Sequence, residues 1–472
     1  MFADPLPFIE RDVEELDAAL RRQAPGRGLS RGQRRWLTFC LMGLLLTNTV
    51  CWSAFERAGL GGYRFSALSW MFRRTNVVWE GLWQVSVRVV LEQYGIHEGV
   101  LSGDDSDQRR AKRTRRIHRA HTVDDKKTGG DFNGQERVFL VLITPTVTLP
   151  VGFRVACPDP KPVAWRREDQ RLKALKVAKA ERPPRPAADP ADPSKAQLLL
   201  ERIPSFRQAH PQVRLKAVLA DALYGTQALM DQASAACGGA QTISQWRGNQ
   251  KVRFRGRERP LATFFAAYPG VPHRIRRRGG EEITVTVSRA RVSVCAHGKK
   301  RFVIALQYPG ETEARDLVAT ELSWRTLDSV QAYTLRWLVE GFLEDWKLDE
   351  GWGQLAKQPD EEGSSRSLIL SLLLDHALLL HPEQRTRLNH QAPACTVGSL
   401  RQHCRGEAFL DVVRGILSAE DPAAPFAHFA EKVKGLFPLA PSGKHMSGRD
   451  LGRQEPTPAL RYRAAEVCAC GA

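Results

Sequence analysis

The sequence predicts a mixed α/β fold with a helical N-terminal region, and three observations predict it. Apolar residues recur at helical spacing within residues 1–97. From Gly99 onward the pattern changes to short apolar runs that are typical of buried strands, such as Val138–Ile143. An amphipathic helix pattern then spans Tyr333–Lys347. We therefore expect a mixed sheet in the middle of the chain, flanked by helices.

These patterns divide the chain into five parts. The first three are a helical N-terminal domain (1–97), the first part of the central sheet domain (98–249) and a β-rich insertion (250–325). The second part of the central sheet domain (326–385) follows, and then a C-terminal region that could serve dimerisation and end in a tail (386–472). Residues 158–195 are rich in Pro, Lys and Arg and predict a long surface loop with one short charged helix around Glu168–Lys179. The insertion is expected because about 118 residues separate Asp221 from Glu340, where one strand and one connection need roughly a third of that length.

The helix Tyr333–Lys347 has one polar face of unusual chemistry. At about 100° per residue, a stripe roughly 60° wide holds a phenol, two cations and a carboxylate, contributed by Tyr333, Arg336, Glu340 and Lys347. The opposite face is apolar. A carboxylate framed by cations suits a metal ion and phosphate oxygens better than it suits a protein core. Glu344, one turn after Glu340, is the alternative carboxylate.

Two aspartates follow strand-like runs, and they complete an acidic triad. Asp104 follows Gly99–Gly103 and Asp221 follows Val213–Ala220, so each carboxylate is expected where a strand ends. Three carboxylates at one site repel one another unless cations neutralise them. Two divalent ions would do so and would activate a water or a 3′-hydroxyl at a phosphodiester. An all-oxygen shell favours Mg²⁺, for which Mn²⁺ can substitute.

With these residues in place, the chain resembles the DDE transposases of bacterial insertion sequences, in particular insertion sequence family four. The resemblance rests on Asp104 in GDDSD, Asp221 in LADALYG, and the Y-x2-R-x3-E-x6-K spacing of the glutamate helix. It implies an RNase H-like catalytic core interrupted by a β-rich insertion, cut-and-paste DNA transposition, and a divalent-metal requirement. Asp105 is the alternative to Asp104, because adjacent strand residues face opposite sides. The family pattern of Asp, one variable residue and then Ser favours Asp104.

The charge of the chain agrees with a DNA substrate. Lys and Arg number 70 against 52 Asp and Glu, for a formal net charge of +18, which favours phosphate binding. Basic residues cluster at 108–116 and 274–278 and alternate as arginines over 253–259, which would share one face if that segment is a single strand. The candidate DNA contacts are Tyr333, Arg336, Trp337, Lys347, Arg247, Lys112 and Arg113. Trp337 could equally be a core residue or a platform for an unpaired base, since the resemblance makes a hairpin intermediate plausible.

Other classes of protein are disfavoured by the sequence. The nine cysteines contain no CxxC pair and no obvious Cys/His ligand spacing, which argues against a zinc site. Leu37–Trp52 and Leu368–Leu380 are apolar but short for a membrane span and predict buried helices. No N-terminal signal peptide pattern is present, so we expect a bacterial cytoplasmic protein associated with the nucleoid.

Three readings of function remain open at this point. The first is a transposase that binds terminal inverted repeats and target DNA as a homodimer on DNA, with Leu368–Leu380 as one candidate for pairing. The second is an RNase H-fold nuclease that cuts without joining. The third is a transposase-derived DNA-binding protein without catalysis. The intact acidic triad favours the first two.

Overall fold

The computed structural model describes residues 5–436 except 60–61, 112–113, 115, 126–127, 188, 277–279 and 353–357. The chain forms two compact units, one up to Ser418 and one from Ala419. In the second unit the described structure is a helix at Ala423–Leu436. The first unit is a mixed α/β structure with N-terminal helices and one large mixed sheet, which confirms the predicted fold class at that level.

The N-terminal helices are α1 (Pro7–Gln23), α2 (Arg31–Thr47), α3 (Trp52–Ala58), α4 (Phe65–Arg74) and α5 (Trp79–Gln93). α2 begins with a capping box, in which the Ser30 hydroxyl accepts from the Gln33 N–H and the Gln33 side chain accepts from the Ser30 N–H. It ends at Asn48, which has a left-handed backbone (φ 55°). Trp36 is fully buried and packs edge-on against Trp79 at 5.9 Å between ring centroids. The predicted helices are therefore present, and α3 and α4 are additional.

One half of the sheet carries the candidate aspartates. Its strands are β1 (Glu98–Arg109), β2 (His121–Asp124), β3 (Asp131–Ile143), β4 (Thr148–Ala156), β5 (Arg214–Ala220) and β6 (Gln241–Trp246). β1, β5 and β6 are parallel neighbours, whereas β3 is antiparallel to both β1 and β4. The order β4-β3-β1-β5-β6 is consistent with an RNase H-like core. The connecting helices are α6 (Pro160–Ala174), α7 (Lys195–Ala209) and α8 (Gln227–Ala236).

The other half of the sheet comes from the β-rich segment. Its elements are β7 (Lys251–Phe254), β8 (Arg257–Pro260), α9 (Leu261–Ala266), β9 (Val271–Arg276), β10 (Glu282–Val294), β11 (Lys299–Gln307) and β12 (Arg315–Ala319). β12 pairs antiparallel with β6, so the segment continues the hydrogen-bonded sheet instead of standing apart from it. β7 and β8 form a hairpin that turns at Arg255 and Gly256, both with positive φ. The arginines of 253–259 therefore do not line one strand, because the turn reverses the chain between them.

The remaining helices of the first unit are α10 (Thr326–Thr334), α11 (Trp337–Asp349), α12 (Glu361–Leu379), α13 (Pro382–Asn389) and α14 (Val397–Leu417). The predicted helix Tyr333–Lys347 is thus two helices that meet at Leu335 and Arg336. Around this junction the backbone bonds are of the tighter i→i+3 type, such as Val339 N–H to the Arg336 carbonyl at 3.0 Å. Arg336 keeps a right-handed helical backbone, so the polar stripe continues across the junction.

Helix α12 belongs to the core of this chain. Its leucines Leu368, Leu370, Leu372 and Leu373 are fully buried within the molecule. These leucines pack within the chain, where α12 lies against α2 and α5, so the pairing role of Leu368–Leu380 gains no support from its exposure and stays a prediction. Among the described residues, no single helix is long and apolar enough to cross a membrane, and only two sharply bent helix pairs satisfy such a test jointly.

Candidate active site between β1 and the end of β5

The register of two parallel strands sets the positions of Asp104 and Asp221. The β1–β5 ladder runs to the pair Gly103 and Ala220, so the next residues on the two strands are Asp104 and Asp221. Neighbouring strands lie about 4.8 Å apart, which brings the two side chains to the same edge of the sheet. The Asp221 carboxylate accepts from the Leu223 N–H at 2.8 Å, and this bond fixes the turn that follows β5.

The environment of Asp104 opposes its ionisation. Burial raises its pKa to about 6, and the charges of Asp221 and Asp105 act in the same direction. The Asp105 N–H, which donates to Asp104 Oδ1 at 2.8 Å, and the Arg336 guanidinium act against the rise. Burial is the largest cause, so the pKa of Asp104 stays raised even with Arg336 beside it.

Arg336 links the strand edge to the glutamate helix. Its Nη2 donates to Glu340 Oε1 at 2.5 Å, one turn later on α11, and its Nη1 lies 3.5 Å from Asp104 Oδ2. The Arg336 side chain is only 10% exposed, whereas that of Glu340 is 37% exposed. One guanidinium therefore lies between two of the three predicted carboxylates and brings Glu340 to the edge that holds Asp104 and Asp221.

Asp105 points to a different set of partners. Lys195, the first residue of α7, binds Asp105 Oδ2 at 2.5 Å and also binds Glu136 on β3. His121 contacts the other oxygen of Glu136 at 3.1 Å. This group of residues is neutralised within the protein, so Asp105 has a structural partner that Asp104 lacks. The difference follows from the alternation of side chains along β1.

The predicted DNA contacts differ in how accessible they are. Trp337 is 62% exposed, so it is not a core residue. Arg247 is exposed just after β6, and Lys347 is partly exposed with Asp107 at 3.8 Å. Tyr333 is buried and its hydroxyl donates to Gln245 Oε1 at 3.2 Å, so in this structure it contacts protein and does not face a ligand. Lys112 and Arg113 lie outside the described residues.

A family comparison agrees with this arrangement. A family model described as DDE superfamily endonuclease matches residues 27–292, which is more than half of the chain. The chain belongs to the DDE superfamily endonucleases. No curated protein matches it. The matched range contains Asp104 and Asp221 and ends before Glu340. Membership implies metal-dependent hydrolysis of phosphodiester bonds and a DNA substrate.

The residues at the edge of the sheet suit the divalent ions that DDE superfamily endonucleases use. All donors are carboxylate oxygens, the chemistry that Mg²⁺ prefers. Among the described residues, these acids do not bring three ligand atoms within 4.8 Å of one another, whereas His381, Cys404 and Glu407 do so elsewhere. With Arg336 between Asp104 and Glu340, the acids are more widely spread than the ligands of a single ion.

Several residues of this DDE superfamily member escaped sequence reasoning. Lys195 binds Asp105 and Gln245 binds Tyr333, and Glu136 binds Lys195, but each comes from a segment remote in sequence. Tyr224, in the LADALYG run, is fully buried and its hydroxyl has no hydrogen-bond partner among the described residues. Burial raises the pKa of Tyr224, and the charges of Asp105, Asp104 and Asp221 add to the rise. In the sequence, the one local sign that Tyr224 belongs to the site was its position three residues after Asp221.

Proposed function

We propose that this chain is a transposase of the insertion sequence family four type, which cuts DNA at terminal inverted repeats and joins the 3′-OH ends to target DNA. One observation supports the proposal most directly. Arg336 contacts both Asp104 and Glu340, next to the position where Asp221 follows β5. This connects Asp104 on β1 and Asp221 after β5 to the signature helix. The matched family and the positive net charge support the same substrate.

In this proposal Asp104, Asp221 and Glu340 hold two Mg²⁺ ions. The ions supply an activated water or 3′-hydroxyl and stabilise the leaving oxygen. Asp104 feels the charges of both Arg336 and Asp221, so its carboxylate would help to hold the ions beside that of Asp221. Once the ions neutralise the carboxylates, Arg336 is free to offer its planar guanidinium to phosphate oxygens.

Residues around the acids would hold the DNA. Lys347, on α11, and Arg247, after β6, would contact phosphates on either side of the cut, and Lys112 and Arg113 would extend the contact. The helices of residues 1–97 would read the terminal repeat. Tyr333 would act by positioning Gln245 and the start of α11, since its hydroxyl is used within the protein. A homodimer assembled on DNA would hold the two transposon ends together.

A strand-transfer reaction tests the function. Pre-cut duplex ends carrying the inverted repeats that flank the gene are incubated with the full chain, a target plasmid and Mg²⁺. We expect insertion of the ends into the plasmid and a complex of two chains on paired ends by light scattering. Cleavage of uncut ends without insertion would identify a nuclease instead, and binding without either reaction would identify a DNA-binding derivative.

Glu340→Gln is expected to abolish both cleavage and insertion while binding to terminal-repeat DNA stays within about twofold of wild type. The amide keeps the shape but loses the charge that holds a metal, and several kcal/mol of charge stabilisation correspond to roughly a hundredfold or more in rate. Glu344→Gln is the matched control, because Glu344 is an exposed acid on the same helix. Equal cleavage by Glu340→Gln and wild type would disprove the metal-binding role.

Trp337→Ala is expected to weaken binding of ends that carry an unpaired terminal base by roughly 5- to 100-fold, since base–aromatic stacking contributes about 1–3 kcal/mol. Binding of fully paired ends should change little. Leu348→Ala is a matched control, because Leu348 is also 62% exposed and lies on α11 but cannot stack on a base. Fluorescence anisotropy with the two kinds of duplex measures the difference. A uniform loss on both duplexes would argue for a general DNA contact instead of a base platform.

A further inference from the structure

A group of metal-ligating side chains lies outside the acidic site, near the C-terminal end of the first unit. His381 stands between α12 and α13, and Cys404 and Glu407 lie on α14. One ligand atom from each of these residues lies within 4.8 Å of the ligand atoms of the other two. His381 and Cys404 are buried, at 4% and 0% exposed, whereas Glu407 is partly exposed. The group therefore has a buried floor and an opening to solvent.

A fourth donor lies beside the three. His403 precedes Cys404 on α14, and its Nε2 is 3.3 Å from Glu407 Oε1. The His403 and His381 rings are 6.3 Å apart between centroids. Residues three and four positions apart share one face of a helix, so Glu407 can meet both Cys404 and His403. An imidazole, a thiol and a carboxylate thus meet between α14 and the start of α13, and the imidazole of His403 lies beside them against Glu407.

This donor set selects for a particular metal. Thiolate and imidazole ligands favour Zn²⁺ among common divalent ions and disfavour Mg²⁺. Ligand atoms of a tetrahedral zinc site are roughly 3.3–3.8 Å apart at normal bond lengths, so the observed spacing within 4.8 Å requires only small side-chain movements. Four protein ligands would close the shell, which is typical of structural sites.

We propose that His381, His403, Cys404 and Glu407 form a structural Zn²⁺ site that is separate from the acidic triad. The site would fasten α14 to the segment that follows α12. One turn earlier on α14, Arg401 binds Asp349 on α11 at 3.0 Å and the Leu45 carbonyl at 2.9 Å. Zinc would therefore add a second attachment of α14, to the segment that carries His381.

The surroundings of His381 permit this role. The Phe8 ring packs edge-on against the imidazole at 4.6 Å between centroids and fixes its plane. The Nδ1 atom accepts from the Glu383 N–H at 3.3 Å, which is a long and weak bond. When Nε2 binds the metal, the ring proton moves to Nδ1 and only this weak bond is lost. The sequence argued against a zinc site because no Cys/His ligand spacing was evident. His381 could not be recognised as a partner of Cys404 because it lies before α13, remote in sequence from α14.

Binding of Co²⁺ and Zn²⁺ to the full chain, freed of metal by a chelator, tests the proposal without any measurement of activity. Wild type should show a sulfur-to-cobalt charge-transfer band that Zn²⁺ removes, and its melting temperature should rise with Zn²⁺ but not with the same concentration of Mg²⁺. Cys404→Ser should lose the band. Cys237→Ser is the matched control, because Cys237 is also buried but lies at the end of α8, and it should keep the band.

If Cys404→Ser does not fold, His403→Ala and Glu407→Gln test the zinc site in its place. Both residues are accessible, at 55% and 45% side-chain exposure, so their replacement should leave the fold intact. Each variant is expected to weaken Zn²⁺ binding at least tenfold. A folded wild type without the cobalt band, a band that persists in Cys404→Ser, or unchanged Zn²⁺ affinity in both accessible variants would overturn the proposal.

Discussion

Asp104→Asn is expected to abolish Mg²⁺-dependent cleavage and at the same time to stabilise the metal-free protein at neutral pH. Burial raises the pKa of Asp104 from 3.8 to about 6, so the folded state disfavours the ionised form. Between pH 4 and 6 the Asp104 carboxyl group ionises in the unfolded chain but keeps its proton in the folded state. The free energy of unfolding therefore falls as the pH rises through this range. Above pH 6 the full penalty, at most about 3 kcal/mol, is present and the uncharged amide removes it.

The measurements are cleavage of terminal-repeat DNA and the melting temperature with and without Mg²⁺. Wild type should be stabilised by Mg²⁺, whereas Asp104→Asn should be stable without the metal and gain nothing from it. Asp105→Asn is the matched control. It should keep cleavage and the Mg²⁺ effect but lose about 1 kcal/mol of stability, since Lys195 keeps only Glu136 as partner. Cleavage by Asp104→Asn together with an inactive Asp105→Asn would reverse the assignment of the first metal ligand.

Glu350→Gln is expected to stabilise the protein above pH 7 and to flatten the dependence of its stability on pH. Glu350 ends α11 fully buried, and neither of its carboxylate oxygens has a hydrogen-bond partner among the described residues. Burial raises the pKa of Glu350 well above its usual range, and nearby Asp375 adds to the rise. Burial also raises the pKa of Asp375 to about 7. An amide at 350 would donate to Asp375 and remove one of two adjacent buried charges.

The sign of the pH effect follows from proton binding. Both carboxyls ionise near pH 4 to 4.5 in the unfolded chain but retain protons to a higher pH in the folded state. The folded state thus binds more protons, and stability should fall as the pH rises from about 5 through 7 and beyond. Denaturant unfolding at pH 5.5 and 8 should show a gain of about 1–3 kcal/mol at pH 8 for Glu350→Gln. Glu344→Gln, at an exposed acid of the same helix, should match wild type, and a wild-type stability that rises between pH 6 and 8 would contradict the prediction.

The site illustrates which features of this protein could be predicted locally. Asp104 and Asp221 were found because each ends an apolar run, and Glu340 because its helix repeats polar residues at fixed spacing. These are short-range patterns with known periods. Lys195 and Gln245 could not be found in this way, because they meet Asp105 and Tyr333 only through strand pairing and helix packing, across 90 and 88 positions of sequence.

The same difference between local patterns and tertiary packing explains where the sequence-based predictions failed. The pattern of Tyr333–Lys347 predicted one helix, yet the tighter hydrogen bonds at Leu335 and Arg336 divide it, and periodicity alone cannot show such a change of hydrogen bonding. The apolar run of α12 predicted burial correctly, but it could not show that α2 and α5 would be the packing partners. The alternating arginines at 253–259 lie on both sides of a hairpin turn.

By itself the sequence determined the class of fold, the helical N-terminal region, the strands that carry or precede Asp104 and Asp221, and the polar stripe of the glutamate helix, because each depends on neighbours a few residues apart. It placed Asp104 at the end of a strand, which was wrong, because pairing with β3 extends β1 to Arg109. Only the tertiary structure decided that Lys195 neutralises Asp105 while Asp104 faces Arg336, that β12 joins the β-rich segment to β6, and that His381 meets Cys404 and Glu407. Those contacts depend on which elements pack together, and packing is selected by the free energy of the whole core and not by any local pattern.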